Sequence, residues 1–399
     1  MKKTGWFNGF TLLVAVICLL TLILNMINNR FLLGDFRVYY TAAAHYITGS
    51  PVYLVSFYSG SGFYKYSPAT LFFFIPYTLL PYKVAATVHF LILGTAYGYT
   101  MLLLSGLVTR YLLGNRVKHR LWLLALAFGC IMMHVNRELY LGNINILLLM
   151  LSCLALRDML TARDLRGGIL LGLAVLAKPY LLLLAIPLVL RRRWRALGWL
   201  CLTGSGGILL PFVFSGPVKS IQLYSDWINS VMTHGGEYPG KTSIDYFLHN
   251  LLPSWPAWGA LIIFSLFLIL MILFIFRSIR LEKQEGATAG MAGLDFTFEW
   301  FLILALLPNL IRTDWVLMMF ASPVIIFMIF YISSRKQYRF IPVLVILLLV
   351  YGANSDDLLG KSLSHTIMES GLMGISNFLL AMVALYLFFL NRKRAPALP

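Results

Sequence analysis

Residues 167–195, GGILLGLAVLAKPYLLLLAIPLVLRRRWR, set one lysine and one proline in the middle of an apolar run. Arginines bracket that run: Arg157, Arg163 and Arg166 before it, and Arg191, Arg192, Arg193 and Arg195 after it. About 24 residues lie between the brackets, too few for two full crossings of a ~30 Å hydrocarbon core. Pro179 breaks a helix, and a lysine in lipid is costly unless it lines a cavity. The economical reading makes 167–190 a broken helix pair. Two half-length helices meet at Lys178-Pro179, face a water- or substrate-filled site, and return to the side they left. A single straight span would invert the topology of everything downstream.

The rest of the chain supports a membrane setting. It has 399 residues, 60% of them hydrophobic, and a mean hydropathy of +0.81. Phe10 to Ile27, Leu261 to Phe276 and Phe378 to Leu390 carry no charge. The first run is too long and wrongly flanked for a cleaved signal peptide, so it reads as the first transmembrane helix. The net charge of +17 does not indicate a nucleic-acid partner, because the basic residues fall in short clusters between apolar runs. Besides the two brackets, these are Lys2 and Lys3; Arg110, Arg116, Lys118 and Arg120; Arg277, Arg280 and Lys283; Arg335, Lys336 and Arg339; and Arg392, Lys393 and Arg394. With every cluster cytoplasmic, the positive-inside rule holds throughout. Cys18, Cys130, Cys153 and Cys201 all fall in apolar segments and read as packing residues.

That alternation predicts an all-α polytopic protein, one integral membrane domain over 1–399 with about twelve passes and both termini cytoplasmic. Passes are expected near 9–28, 83–109, 121–135 and 143–156, then the broken pair, then 196–214, 257–276, 297–311, 315–333, 340–352 and 371–390. A first outer loop spans 29–82, with a surface helix over 68–80. A short outer turn runs from His134 to Gly142. A second outer loop spans 215–256, where Trp227, Tyr238 and Trp255 either stack on sugars or anchor the loop to headgroups. Residues 277–296 read as a cytoplasmic linker, and 353–370 as a last outer loop.

The unusual polar residues concentrate on the outer side. Asp35 follows the first pass among aromatics, where an interfacial carboxylate gains basicity and suits a general base. The same residue is equally placed to cap a helix. Lys65, between Tyr64 and Tyr66, is open to binding a phosphate or sugar, or to snorkelling within an aromatic belt.

Asp35-Phe36, Tyr39-Tyr40, Ala42, Gly49, Tyr53 and Tyr66-Ser67-Pro68 stand in a definite order. Gly142-Asn143-Ile144-Asn145, Gly168 to Leu173, Lys178-Pro179-Tyr180 and Arg191 to Arg195 follow. This series resembles glycosyltransferase family 87 over roughly residues 30–200. These are GT-C enzymes that include polyprenol-phosphate-mannose-dependent mannosyltransferases. Fainter echoes are Lys241-Thr242-Ser243-Ile244 and Asp314-Trp315. After Trp315 this chain has Val316-Leu317-Met318-Met319, where the family often carries a histidine.

The resemblance implies a GT-C-type fold with outer-face juxtamembrane helices, in the plasma (cell inner) membrane. It implies transfer of a hexose, mannose or another, from a polyprenyl-phosphate donor to a hydroxyl of a glycolipid or glycan acceptor on the outer face. Asp35 is then the base, and the anomeric centre inverts. Cations must meet the leaving phosphate, and Lys178, Arg312 and Lys65 are the candidates. Tyr39, Tyr40, Tyr66, Asn143, Asn145, His134 and Asp314 are the candidates for sugar or acceptor binding. Arg137 reads as a partner of Glu138. No cofactor is called for, and lysine or arginine can meet a monophosphate without a metal. The competing reading is a transporter or flippase. It calls for matched midplane charges in two inverted halves, and Lys178 has no evident counterpart.

Overall fold

The computed structural model describes residues 4–57, 62–115, 117–234, 240–252, 254–284, 289–353 and 355–392. Lys2, Lys3, Arg116, Tyr238, Lys393 and Arg394 lie outside them. The described residues form helices and turns without a named strand. Seven helices among them are long and apolar enough to cross a membrane: Gly9–Ile27, Tyr82–Leu112, Trp194–Thr233, Gly259–Gln284, Met291–Leu310, Trp315–Ser334 and Leu372–Arg392. Arg120–Leu141 and Asn145–Leu160, bent by 119° at their junction, make an eighth if the pair is one span. The chain is thus a multi-pass membrane protein. Seven or eight such spans fall short of the expected twelve passes. Of the expected passes, 340–352 is a shorter apolar helix, Tyr338–Tyr351, and the second half of the broken pair is Pro179–Leu190.

Backbone contacts divide the chain into two compact units. The first comprises 1–100, 136–182 and 195–237. Its opening span, Gly9–Ile27, keeps only 22% of its apolar window buried. Leu12, Leu24 and Ile27 stand exposed, as expected of a helix whose outer face meets lipid. Helix Gly34–Thr48 follows. The stretch expected to form a surface helix is helical over Pro68–Leu79, with Pro68 to Leu71 and Phe74 buried.

Helix Asp164–Ala177 has 14 residues, about 21 Å at 1.5 Å per residue, short of the hydrocarbon thickness. Its glycines allow a close approach. A Cβ on Gly172 would lie 2.7 Å from Thr203 Cβ, and one on Gly168 would strike the Ala196 carbonyl. The helix stops where proline chemistry requires. Lys178 is extended (φ −135°, ψ 101°), the region preferred before a proline. A 3-10 turn, Pro179–Leu184, begins at the next residue. Ser67 Oγ donates to the Leu176 carbonyl at 2.9 Å, satisfying one of the helix's terminal acceptors.

Two expected boundaries move. Helix Arg120–Leu141 continues through the predicted turn at His134 to Gly142 and breaks only at 142–144, because that stretch holds no residue that stops a helix before Gly142. The second predicted loop also begins as helix. Backbone helicity resumes after Gly216 (φ 73°) and runs to His234.

The second unit comprises 101–135, 183–194 and 238–399. Its centre is Trp315–Ser334, whose apolar window is 94% buried. The predicted linker 277–296 is helical at both ends, within Gly259–Gln284 and Ala289–Leu310. Glu282 and Glu299 both accept from Arg191 Nη2, at 2.8 and 2.7 Å. Arg392 Nε pairs with Asp295 at 3.1 Å. Buried charges need such partners, and these ionic contacts at Glu282, Asp295 and Glu299 are ones that hydropathy does not register.

Candidate functional site

The first unit gathers its polar side chains where three breaks in helix meet: the start of Gly34–Thr48, the bend at 142–144, and the end of Asp164–Ala177. Asp35 is one residue inside its helix. The capping position is Leu33, whose side chain makes no cap bond. The carboxylate is therefore not the cap, but it sits in the first helical turn, where the macrodipole favours negative charge.

Gly142 brings the bend onto this helix. Its φ is +67°, and an added Cβ would lie 2.9 Å from Phe36 Cβ and 3.1 Å from Leu33 Cβ. His89 secures the junction. Its ring stacks on Phe36 at 4.2 Å, and Nε2 donates to the Gly142 carbonyl at 3.0 Å. A carbonyl only accepts, so Nε2 carries the proton and Nδ1 faces the Tyr77 hydroxyl at 3.2 Å.

From this junction runs a chain of hydrogen bonds with a fixed direction. Asn143 Oδ1 accepts from the Ile144 backbone N–H at 2.7 Å. That donor fixes which way the amide faces. Asn143 Nδ2 therefore donates to Asp35 Oδ2 at 2.8 Å. The Tyr66 hydroxyl donates to Asn143 Oδ1 at 3.0 Å. Its proton is committed, so at the 3.1 Å contact with Tyr39 the Tyr39 hydroxyl is the donor. Burial, with Tyr66 and the Asp35 carboxylate near, holds the Tyr39 phenol well above its ordinary pKa. Burial does the same to Tyr66. Both remain hydroxyl donors rather than bases.

A second chain ends on Lys178. Its Nζ donates to Asn145 Oδ1 at 2.7 Å. An ammonium has no acceptor, so Asn145 Nδ2 is turned to Glu138 Oε2 at 3.1 Å. Glu138 Oε1 takes the Ile146 backbone N–H at 3.3 Å. The two chains touch at Tyr66, whose ring centroid lies 5.5 Å from Lys178 Nζ. Asp35 and Lys178 thus belong to one cluster, joined by Asn143, Asn145 and Tyr66. The geometry offers a half-exposed carboxylate to a proton donor and a held ammonium to an anion. No group of three or more His, Cys, Asp or Glu side chains suited to a metal occurs among the described residues.

The other expected residues are distributed as follows. Tyr40 donates to the Leu80 carbonyl at 2.9 Å and rests edge-on against Tyr82. Lys65 lies between buried Tyr64 and Tyr66, and its carbonyl accepts from Trp227 Nε1 at 3.0 Å. That bond gives Trp227 an anchoring role. Arg312, Asp314 and His134 belong to the second unit. Arg312 Nη2 pairs with Asp245 Oδ2 at 2.8 Å, and Trp255 Nε1 donates to the same carboxylate at 3.0 Å. Asp314 accepts from the Trp315 N–H at 2.7 Å, capping the turn Trp315–Ala321. Buried His134 donates from Nε2 to the Tyr351 carbonyl at 2.9 Å. In the Lys241-Thr242-Ser243-Ile244 stretch, Ser243 caps Ile244–Leu251 and Thr242 Oγ1 donates to the Pro308 carbonyl. Glu138 is the member that sequence reasoning missed. Its neighbour Arg137 lies over the Tyr140 ring at 5.7 Å.

Fold and site together define a class: a multi-pass membrane protein with a carboxylate and a lysine held together at a set of helix breaks. The family is shown by sequence comparison. The model of glycosyltransferase family 87 matches residues 63–298, and the chain belongs to that family. The match includes Tyr66, Glu138, Asn143, Asn145 and Lys178; Asp35 and Tyr39 precede it. An alpha-(1->3)-arabinofuranosyltransferase of Corynebacterium glutamicum is 28% identical over 211 residues, covering 52% of this chain and 48% of the relative. The chain therefore spans about half the length of the curated relative it matches.

Proposed function

We propose that this chain is a membrane glycosyltransferase that moves a sugar from a polyprenyl-phosphate carrier to a hydroxyl of a glycolipid or glycan on the outer face. The observation that carries this reading is the joining of Asp35 and Lys178 through Asn143, Asn145 and Tyr66. Asp35 takes the proton of the acceptor hydroxyl. The acceptor oxygen attacks the anomeric carbon as the bond to the carrier phosphate breaks, and the centre inverts. The electron pair leaves on the phosphate oxygen, where Lys178 meets the developing charge. The outer-face location rests on the alternation of basic clusters.

The sequence resemblance favours a hexose, and the name of the curated relative favours arabinofuranose, so both belong in the assay. The full chain in lipid nanodiscs is supplied with polyprenyl-phosphate mannose or polyprenyl-phosphate arabinofuranose and a membrane glycolipid extract. Products are read by mass spectrometry. Transfer from either donor, abolished by Asp35→Asn in a protein that still folds, supports the proposal. Equal turnover by Asp35→Asn removes the base. Carrier-linked sugar crossing proteoliposomes without transfer would establish the transporter reading in its place.

A further inference from the structure

Tyr180 follows the helix break and takes no part in the two chains above. Its hydroxyl oxygen is buried and meets no hydrogen-bond partner among the described residues. A buried hydroxyl without a partner loses its hydration with nothing in exchange, and each such group calls for an explanation, a catalytic role or a bound ion or water among them. The position is specific. Lys178 Nζ lies 6.0 Å from the Tyr180 ring centroid and 5.5 Å from that of Tyr66, so two tyrosine rings neighbour the ammonium. The Tyr180 hydroxyl is also near enough to the Glu138 carboxylate to feel its charge.

The two tyrosines beside Lys178 differ in what their protons do. That of Tyr66 is committed to Asn143 Oδ1. That of Tyr180 is committed to nothing among the described residues. A neutral O–H beside a cation forms a donor pair for a tetrahedral anion: one member offsets charge and the other directs an oxygen. Neither needs to reorganise as charge builds up.

We propose that Tyr180 is a donor-binding residue, whose hydroxyl donates to a phosphate oxygen of the carrier-linked sugar beside Lys178. This rests on the glycosyl-transfer reading of the same site. It adds a prediction that packing alone would not make. Tyr180→Phe removes one oxygen that bonds nothing among the described residues, so thermal stability is unchanged or raised. Binding of the carrier phosphate falls nonetheless.

The test uses full-length protein in nanodiscs and undecaprenyl monophosphate as the probe. Its affinity is measured by native mass spectrometry and its product inhibition by the transfer assay. Tyr180→Phe is expected to weaken the affinity roughly 10- to 100-fold, the worth of a hydrogen bond to a charged group. The donor kcat/KM falls in step while the acceptor KM stays unchanged. If Tyr180→Phe binds the probe as the parent does, while Lys178→Ala and Asp35→Asn abolish transfer, Tyr180 is a packing residue and this proposal fails alone. If Lys178→Ala also leaves probe binding and transfer intact, the reading of the site fails and takes this proposal with it.

Discussion

Asn143 donates to Asp35 across 2.8 Å, with its amide locked in that sense by the Ile144 N–H. The carboxylate is thereby held by a donor that cannot turn over. Asn143→Asp keeps the shape and an acceptor for Tyr66 and Ile144, but it replaces the donor with a second carboxylate oxygen. Transfer should fall by at least ~10²-fold, the lower range of a positioned base's contribution. The substitution should also be worse than Asn143→Ala, which removes the bond without adding a like charge. Initial rates at matched protein levels decide it, and a fully active Asn143→Asp would mean that the Asn143 N–H is not needed to hold Asp35.

Lys178 Nζ donates to Asn145 Oδ1 at 2.7 Å. Lys178→Ala should raise the donor KM and lower kcat, because both binding and leaving-group stabilisation lose a charge. Lys178→Arg should recover only part of each, since a planar guanidinium does not reproduce a compact ammonium. Steady-state kinetics with varied donor separates these effects. Full recovery by arginine would show that charge alone is needed.

Gly142 combines a φ of +67° with a Cβ direction blocked by Phe36 and Leu33. Gly142→Ala should destabilise the protein by about 1–3 kcal/mol. A lower unfolding midpoint in detergent, followed by fluorescence-detected size exclusion, is the expected result. An unchanged midpoint would mean the bend relaxes without cost.

Arg191, with 9% of its side chain exposed, serves Glu299 at 0% and Glu282 at 13%. Arg191→Ala leaves buried charge uncompensated and should cost about 3–5 kcal/mol. Adding Glu299→Gln should return part of that loss. A double mutant no more stable than Arg191→Ala would show that the pair does not act as a unit.

Sidedness follows from labelling. Cys201 is exposed, so the background is Cys201→Ser. A cysteine replacing Ser50, near the end of the Asp35 helix, should react with an impermeant maleimide on intact cells. One replacing exposed Leu165 should react only after lysis. The reverse pattern would move the site to the cytoplasmic face.

Much of this site was legible because its features are local. Lys178-Pro179 reads as a break because proline constrains its own backbone and that of the residue before it, and the helix does end there. Asp35 stands out as an acid just past an apolar span. Glu138 was not legible. In sequence it adjoins Arg137, an obvious partner, and its true partner Asn145 is reached only across the bend that separates two helices. The bend itself does not register in hydropathy, which records apolar length but not direction. For the same reason a count of apolar runs gives twelve passes, whereas several of those runs are too short to span alone. Trp227 shows the converse. An aromatic in a Pro/Gly-rich stretch suggests a loop, yet it lies on a helix and its indole fixes the Lys65 carbonyl.

The amide between Tyr66 and Asp35 has a kinetic meaning. Hydroxyls and water pass protons along by exchanging roles, but a carboxamide does not, since doing so would require an imidic acid. Asn143 orients the carboxylate and at the same time insulates it from the phenols behind. Under the proposed mechanism, a proton captured by Asp35 cannot drain into the phenols by that route, and its release toward the bulk phase is the expected end of each cycle.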